Sequence, residues 1–355
     1  MVFTIEMLPA QRGDSLWLTY GTAGDLHHVL IDGGPQESMG VVVPDLEARI
    51  AAIPGKENRV ELLVVTHVDA DHIQGIVSLL SDPKRVPLFR DVWFNGWKHI
   101  QPEVLGGVDA ERMTAPLLQH PDRWNAAFGG KAVVVPDGGQ PPVVQLAGGM
   151  TLTLLSPTRK ALTALIPEWA AACAAAGVLP GEGAPIVRKG WIRDEVLGGF
   201  EPDLLAQSKF SSDSSKPNGS GIALIAEYDG RRALLLADCP PAPVLKSLDL
   251  LGPRPHRFDV VKIAHHGSRR NTSVEFAQAV QARSWLVSTD GAVFGHPDPE
   301  SLARIIVGQE KPPVIAFNYL TDHITEIVAD AGERYRVTLP KKAKGAYLTG
   351  LVVKV

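Results

Sequence analysis

Four side chains that can bind a metal ion occur within six residues of this sequence: His67, Asp69, Asp71 and His72. An apolar run at residues 62–65 precedes them, and an apolar segment with helical spacing follows at residues 76–80. This pattern predicts a buried strand, a polar loop and then a helix. Because ligands of open α/β sheets usually bind where strands end, the loop is a candidate functional site.

The spacing of these four residues predicts two neighbouring metal positions. His67 and Asp69 alternate along an extended stretch, so both can point to the same side. Asp71 and His72 are adjacent and come just before the helix, so they can turn toward a second point. Two cations about 3.5–4 Å apart are the usual arrangement of a two-metal hydrolytic site. The competing interpretation is a solvated loop in which Asp71 caps the helix.

The composition is that of an ordinary globular protein. The chain has 355 residues, is 45% hydrophobic and 21% charged, and has a formal net charge of −4, which gives no overall attraction to nucleic acid or membranes. Two cysteines, Cys173 and Cys239, do not indicate a disulfide scaffold and fit a reducing compartment. We find no signal peptide and no run of about 20 apolar residues, so we expect a cytoplasmic protein without a membrane span.

Hydrophobic patterning predicts two β-rich halves, each with helices. The first half should run β-β-β-α-β-α, with short strands at residues 86–89 and 92–94 and a helix that begins at Pro44. The second half should contain a hairpin around Asp229 and Gly230. Together these halves predict two packed sheets with helices outside, an α/β fold.

Two segments interrupt this pattern as insertions, at about residues 82–130 and 157–217. The first is rich in aromatic residues, which pack either in the core or along a substrate cleft: Trp93, Phe94, Trp97, Trp124 and Phe128. The second should contain a helix at residues 161–176 and a mobile Ser-rich loop that overhangs the site. A closed pocket lined by Trp93, Trp97 or Trp191 would favour a small substrate.

Further Asp and His residues follow apolar strands in the same way: Asp32, Asp238, His265 and His266. Several strand ends that carry such residues suggest convergence on one site. A carboxylate such as Asp238 can bridge two cations with its two oxygens, and His266 can complete a second metal position. Cys239 adjoins Asp238 but is expected to be a small core residue.

The motif set resembles the metallo-β-lactamase superfamily, and in particular the soluble hydrolase domain of ComEC-type competence proteins. The resemblance rests on the HxDxDH motif followed by Ile73-Gln74-Gly75, on Ala264-His265-His266-Gly267-Ser268 and on Phe294-Gly295-His296-Pro297. It extends from the N-terminus to about residue 320. It implies a four-layer αββα sandwich that occupies residues 1–355 as one domain with the two insertions.

The resemblance also implies a role for each site residue. His67 and Asp69 would bind one metal ion, Asp71, His72 and His266 a second, and Asp238 would bridge them. Asp32 would orient the ligands. The implied catalytic residues are Asp71, His265 and His296, and the implied substrate-binding residues are Asn218, Ser220 and Ser268. Many superfamily members have a third histidine on the first metal, but residues 216–221 contain none, so a one-metal form stays open. This ligand set suits zinc or manganese.

These expectations favour a metal-dependent phosphodiesterase or nuclease that uses a metal-activated water. Its partner would be nucleic acid or another phosphodiester, and the protein would act with other proteins of a bacterial system. Lys262, Arg269 and Arg270 would either neutralise a phosphodiester backbone or be solvated. The alternative is a hydrolase of a small-molecule ester, such as a phosphocholine-type ester, a cyclic nucleotide, a thioester or a lactam. A non-catalytic regulatory member of the fold is a third possibility.

Overall fold

The computed structural model of the protein describes residues 1–100, 108–176, 200–321, 324–340 and 351–355. These residues form fourteen strands, in chain order β1 Val2–Met7, β2 Leu16–Thr22, β3 Asp25–Ile31, β4 Leu62–Val64, β5 Val92–Trp93, β6 Val143–Gln145, β7 Thr151–Ser156, β8 Ala223–Tyr228, β9 Arg231–Leu235, β10 His256–Lys262, β11 Val280–Val287, β12 Val314–Phe317, β13 Arg336–Thr338 and β14 Leu351–Lys354.

The same residues form twelve α-helices, α1 Met39–Ala52, α2 Ala70–Leu79, α3 Trp97–Ile100, α4 Val108–Leu118, α5 Arg159–Thr163, α6 Ile166–Ala176, α7 Pro202–Ala206, α8 Lys216–Gly219, α9 Pro241–Leu251, α10 Val274–Ala279, α11 Pro299–Gly308 and α12 Thr325–Ala329. In the part of the chain that is described, no helix combines the length and the apolar character needed to cross a membrane.

The strands form two sheets. The first has the order β14-β1-β2-β3-β4-β5, and the second has the order β13-β12-β11-β10-β9-β8-β7-β6. In the first sheet β3, β4 and β5 run parallel. In the second, β9 to β13 run parallel. The carboxyl ends of parallel neighbours lie at one edge of a sheet, so the loops after β3 and β4 lie side by side, as do those after β9 and β10.

Side-chain alternation builds the core between the sheets. In β1, Phe3, Ile5 and Met7 are buried and face the second sheet, while the residues between them are half-buried. The parallel strands of the second sheet are apolar on both faces because both are covered. In β10, for example, Val260 packs between the sheets and Val261 packs under the helices.

Helices cover the outer face of each sheet. Helices α1, α2 and α4 bury their apolar sides against the first sheet, and α9, α10 and α11 do so against the second. The layers are therefore helix, sheet, sheet, helix, which confirms the predicted four-layer αββα sandwich. The predicted β-β-β-α-β-α order and the hairpin are also present, with Asp229 and Gly230 both at positive φ as that turn requires.

Three local predictions are wrong. Helix α1 begins at Met39, and Pro44 lies inside it because Val42 and Val43 already pack in the core. Residues 86–89 are not a strand but lie largely in a 3₁₀ turn, Pro83–Leu88. The predicted helix at residues 161–176 is two helices, α5 and α6, because Pro167 has no backbone N–H to donate to the Thr163 carbonyl at the end of α5.

The aromatic side chains of the first insertion pack in the core. Trp93, Phe94 and Trp124 are at most 1% exposed, and Trp97 is 4% exposed, so the cleft-wall interpretation is wrong for them. Residues 177–199 of the second insertion, with Trp191, lie outside the described residues.

Candidate metal centre

Four strand ends from the two sheets meet at the site. Asp32 follows β3 and the His67 loop follows β4, while Asp238 comes after β9 and His266 after β10. The two sheets approach closely there, since His72 Nε2 lies 3.4 Å from Asp238 Oδ1. The order of strands in the sheets thus brings together residues that are far apart in sequence.

Backbone strain is concentrated at these strand ends. Eight described residues other than glycine have positive φ, and half of them belong to the site: Asp32, Ala237, His265 and His266. Such conformations cost of order 1–3 kcal/mol each and persist only where the surrounding structure enforces them.

Asp238 is the centre of the ligand cluster. Its Oδ2 lies 3.8 Å from His67 Nε2, 3.7 Å from His265 Nε2 and 4.0 Å from His266 Nε2. Two further carboxylates lie at the sides, with Asp69 Oδ2 3.6 Å from His67 Nε2 and Asp71 Oδ2 3.3 Å from His266 Nε2. All six predicted metal ligands therefore lie around one small volume.

Hydrogen bonds at Nδ1 fix the imidazole tautomers. His266 Nδ1 donates to the Ser288 carbonyl at 2.8 Å, and His72 Nδ1 donates to Asp32 Oδ2 at 2.8 Å. His67 Nδ1 lies 2.9 Å from Thr66 Oγ1, which itself donates to Asp32. Because each Nδ1 carries the proton in the neutral ring, each Nε2 presents a lone pair to the gap.

The atoms that face the gap have no hydrogen-bond partner within the protein. They are buried and comprise His67 Nε2, His72 Nε2, His266 Nε2 and Asp238 Oδ1. Buried polar atoms are almost always satisfied, so this cluster calls for a group that accepts lone pairs. Two groups of atoms are close enough to share an ion: His67, His72 and Asp238, and Asp71, His72 and His266. The residues fit one or two divalent cations.

Asp32 supports both sides of the cluster without facing the gap. It is 1% exposed, and its Oδ1 accepts from the Thr66 backbone N–H at 2.8 Å while its Oδ2 accepts from Thr66 Oγ1 at 2.7 Å. It therefore orients His72 directly and His67 through Thr66. This is the position that the resemblance implies for it.

The acidic residues of the loop do not behave as ordinary helix caps. Asp69 occupies the N-cap position of α2, but its side chain makes no capping hydrogen bond, and Asp71 lies in the first turn with its carboxylate toward His266. The competing interpretation, a solvated loop in which Asp71 caps the helix, does not describe this geometry.

Protons bind tightly in the metal-free site. Burial lowers the pKa of His266, but the charges of Asp14 and Asp238 raise it by more than burial lowers it, and the resulting pKa is about 10. Burial likewise lowers the pKa of His72, and Asp238 with its neighbours raises it well above the usual range. Burial raises the pKa of Asp71, but His72 and His266 hold it well below its ordinary value. A cation that binds here must displace protons from the imidazoles.

The metal-free protein should lose stability as pH rises from 6.5 toward about 10. His266 and His72 bind protons more tightly when folded, so their contribution is complete below the ordinary histidine pKa of 6.5 and is lost as pH rises toward the folded value of about 10. We expect urea unfolding in a chelator to give a free energy of unfolding that falls through this range. Saturating zinc should abolish this fall, because metal-bound imidazoles hold no proton at Nε2 and the histidines of the unfolded chain are largely deprotonated above pH 6.5. A flat metal-free profile would contradict the arrangement.

The predicted substrate-facing histidines lie at the rim. The side chain of His265 is 25% exposed, and that of His296 is 13% exposed, with their ring centroids 5.4 Å apart. His296 Nδ1 pairs with Asp298 at 3.2 Å. Both rings are thus beside the ligand cluster and reachable from solvent.

Two of the three predicted substrate-binding residues make hydrogen bonds to nearby backbone atoms. Ser220 donates to the Pro217 carbonyl, and Ser268 accepts from the Arg270 backbone N–H, so both hydroxyls are used locally. Asn218 is 3% exposed and its Nδ2 lies 3.3 Å from His265 Nδ1, while its Oδ1 has no partner. Their roles in substrate binding stay predictions.

Two acidic residues of the site were not assigned from the sequence. Asp14 is buried and pairs with Lys262 Nζ at 2.7 Å, and its Oδ1 lies 3.5 Å from His266 Nδ1. Asp213 contacts His265. Asp14 lies in the turn Gly13-Asp14-Ser15, and Asp213 lies in a Ser-rich stretch without a motif.

The sequence interpretations that placed Lys262 against a phosphodiester backbone or in solvent are both wrong. It is 1% exposed and is engaged by Asp14, so it acts inside the fold. Cys239, as expected, is a core residue: it is 1% exposed, and its thiol donates to the Gly221 carbonyl at 3.3 Å.

The chain is similar in structure to several metallo-β-lactamase-fold proteins. No family model and no curated protein matches it. YhfI from Bacillus subtilis, a metallo-β-lactamase-fold protein, is 11% identical, with 99% of each chain covered and a TM-score of 0.40. Zn²⁺-bound PqqB from Methylobacterium extorquens is 12% identical, with 96% of this chain and 87% of that chain covered and a TM-score of 0.37.

A third similar structure is MEM-A1, a subclass B3 metallo-β-lactamase isolated from a soil metagenome library. It is 14% identical, with 76% of this chain and 80% of that chain covered and a TM-score of 0.32. At these scores the fold assignment rests on the two-sheet topology and its helical layers.

Proposed function

We propose that the protein is a metal-dependent hydrolase of the metallo-β-lactamase superfamily and that it cleaves phosphodiesters, with nucleic acid as the substrate class. The observation that carries this proposal is the convergence of three buried imidazole Nε2 atoms on Asp238, all without partners in the protein. Burying these atoms without hydrogen-bond partners is costly, and a bound cation would offset that cost.

Each residue of the site would have a separate role in metal binding, ligand orientation or proton transfer. His67, His72, His266, Asp69, Asp71 and Asp238 would hold one or two divalent ions, zinc or manganese. When bound, such ions acidify water and polarise a phosphoryl oxygen. Asp32 and the Ser288 carbonyl hold the imidazoles in the ligating tautomer. His265 and His296 face the entrance, where an imidazole can bind an anionic oxygen or pass a proton to it.

The ligand chemistry favours a phosphodiester over a lactam. Three carboxylates and three imidazoles form a sulfur-free set that accepts manganese as well as zinc, and such cations bind phosphate oxygens well. The absence of a histidine at residues 216–221 also departs from the three-histidine first site of many superfamily members, to which lactamases typically conform. A ComEC-type soluble hydrolase in the cytoplasm is the specific form that we propose.

A small-molecule ester hydrolase is the second candidate, and the surface charge supports it. Of the three basic residues that flank the histidine pair, Lys262 is buried against Asp14 and Arg269 pairs with Glu300 at 3.0 Å. Only the exposed Arg270 of this set is then left to contact a long polyanion, which weakens the case for a nucleic-acid groove.

A substrate panel tests the proposal. Protein stripped with a chelator and reloaded with manganese, magnesium or zinc should cleave bis(4-nitrophenyl) phosphate and single- or double-stranded DNA or RNA, and the stripped protein should not. Asp71→Asn should abolish cleavage, and Asp229→Asn, in a turn where Asn is equally favourable, should not change it. Turnover confined to carboxylic esters or thioesters would favour the second candidate. Metal-loaded protein inert toward every phosphodiester would end the proposal.

A further inference from the structure

Residues 208–218 lie across the edge of the metal centre and are fastened at both ends. Arg304, which is 1% exposed, donates from Nη2 to Ser208 Oγ at 2.8 Å. Further along, the Asp213 backbone N–H donates to the Arg270 carbonyl at 3.0 Å. This described part of the second insertion is therefore docked on the loop that follows β10, and it delivers Asp213 to a fixed position.

The Asp213 carboxylate is enclosed by hydrogen-bond donors. Its side chain is 5% exposed. Oδ2 accepts from Asn218 Nδ2 at 2.6 Å and from Asn271 Nδ2 at 3.2 Å, and Oδ1 accepts from the Ser215 backbone N–H at 2.9 Å. Asn271 Nδ2 also donates to the Asp238 carbonyl at 2.9 Å, which connects the network to the metal centre.

This network fixes the orientation of His265. Its Nδ1 lies 3.3 Å from Asp213 Oδ2 and 3.1 Å from Asn271 Oδ1, and both of these atoms are acceptors. Asn218 Nδ2 is also 3.3 Å from this nitrogen, but it already donates to Asp213 Oδ2 at 2.6 Å. Nδ1 therefore carries a proton, and the opposite nitrogen, Nε2, faces the ligand cluster 3.7 Å from Asp238 Oδ2. The ring is thus held at the back by a carboxylate and presents its other nitrogen at the entrance.

We propose that Asp213 is a positioning residue that holds His265 so that its Nε2 protonates the leaving oxygen during hydrolysis. This inference rests on the proposed phosphodiesterase function. A water oxygen forms the new bond to phosphorus and loses a proton to solvent. The bond from phosphorus to the leaving oxygen breaks, and that oxygen takes the Nε2 proton of the cationic His265 ring, which is protonated at both nitrogens. The ring is left neutral with its proton on Nδ1, and solvent then returns a proton to Nε2.

A comparison of leaving groups separates this role from a structural one. A 4-nitrophenolate leaves without protonation, whereas the sugar alkoxide of a dinucleotide needs a proton. Asp213→Asn should lower kcat for thymidylyl-thymidine by about 100-fold, with KM nearly unchanged, since general acid catalysis contributes 10²–10⁴-fold. On bis(4-nitrophenyl) phosphate the same variant should lose less than about fivefold. Asp213→Glu should recover part of the loss.

Matched variants complete the test. His265→Gln should show the same leaving-group pattern, and the double variant should lose no more than either single variant. Asp229→Asn should behave as the unmodified protein. Metal content by plasma emission should be unchanged in Asp213→Asn.

Three outcomes would overturn the inference alone: equal losses on both substrates, loss of metal, or full activity of Asp213→Asn. If the unmodified protein cleaved neither substrate, the proposed function would fail first, and this inference would fail with it.

Discussion

Asp238→Asn is expected to remove tightly bound metal and to lower hydrolytic activity by at least about 100-fold. Substitutions of residues that only support metal ligands already cost 10–100-fold, and Asp238 lies within 4.0 Å of four imidazole Nε2 atoms. The Asn amide nitrogen carries hydrogens and cannot donate a lone pair, so one of the two side-chain atoms that would hold metal is lost. The buried imidazoles would then lose their central negative charge.

Metal titration by calorimetry measures this effect directly, and plasma emission gives the residual metal content. Asp229→Asn is the matched control because it makes the same chemical change at the far end of the β8–β9 hairpin. Metal affinity and turnover in Asp238→Asn within a factor of about three of the unmodified protein would show that Asp238 is not a ligand.

Gly75→Ala is expected to destabilise the protein by about 3 kcal/mol and to weaken metal binding. A Cβ at Gly75 would lie 1.9 Å from the Gly33 carbonyl oxygen, which is backbone and cannot turn away. The two segments are also joined by hydrogen bonds from Gly33 N to His72 O and from Gly75 N to Gly34 O, each 2.9 Å. Relief of the clash must shift helix α2, which carries Asp71 and His72, and overpacking of this kind typically costs 1–3 kcal/mol or more.

Urea unfolding of the metal-free variant measures the stability, and a zinc titration measures the binding. Gly40→Ala is the matched control, because a Cβ at Gly40 in α1 meets nothing within 4 Å and should be neutral or slightly stabilising. If Gly75→Ala unfolds at the same urea concentration as the unmodified protein, the close packing of α2 against the Gly33 loop does not limit the site.

Much of the fold can be predicted from the sequence because its signals are local. The alternating burial in β1 depends on residues that are adjacent in sequence, and so does the turn at Asp229-Gly230. Both features are present in the structure. Predictions fail where packing outweighs local preference. Pro44 lies inside α1 because Val42 and Val43 find a core there. The failure at residues 86–89 is instead local: Pro83 and Pro87 favour a 3₁₀ turn, and Phe89 forms just an isolated bridge with Val60.

The sequence by itself determined which side chains are able to bind metal, since the types and spacing in residues 66–75 are sufficient for that prediction. Only the tertiary structure decided how these side chains are held. Asp14 and Lys262 are 248 residues apart and form a buried pair beside His266. Asp213, in a stretch without a motif, reaches the back of His265. The reason is physical: such contacts depend on the path of the whole chain and on strand order, which no local pattern encodes.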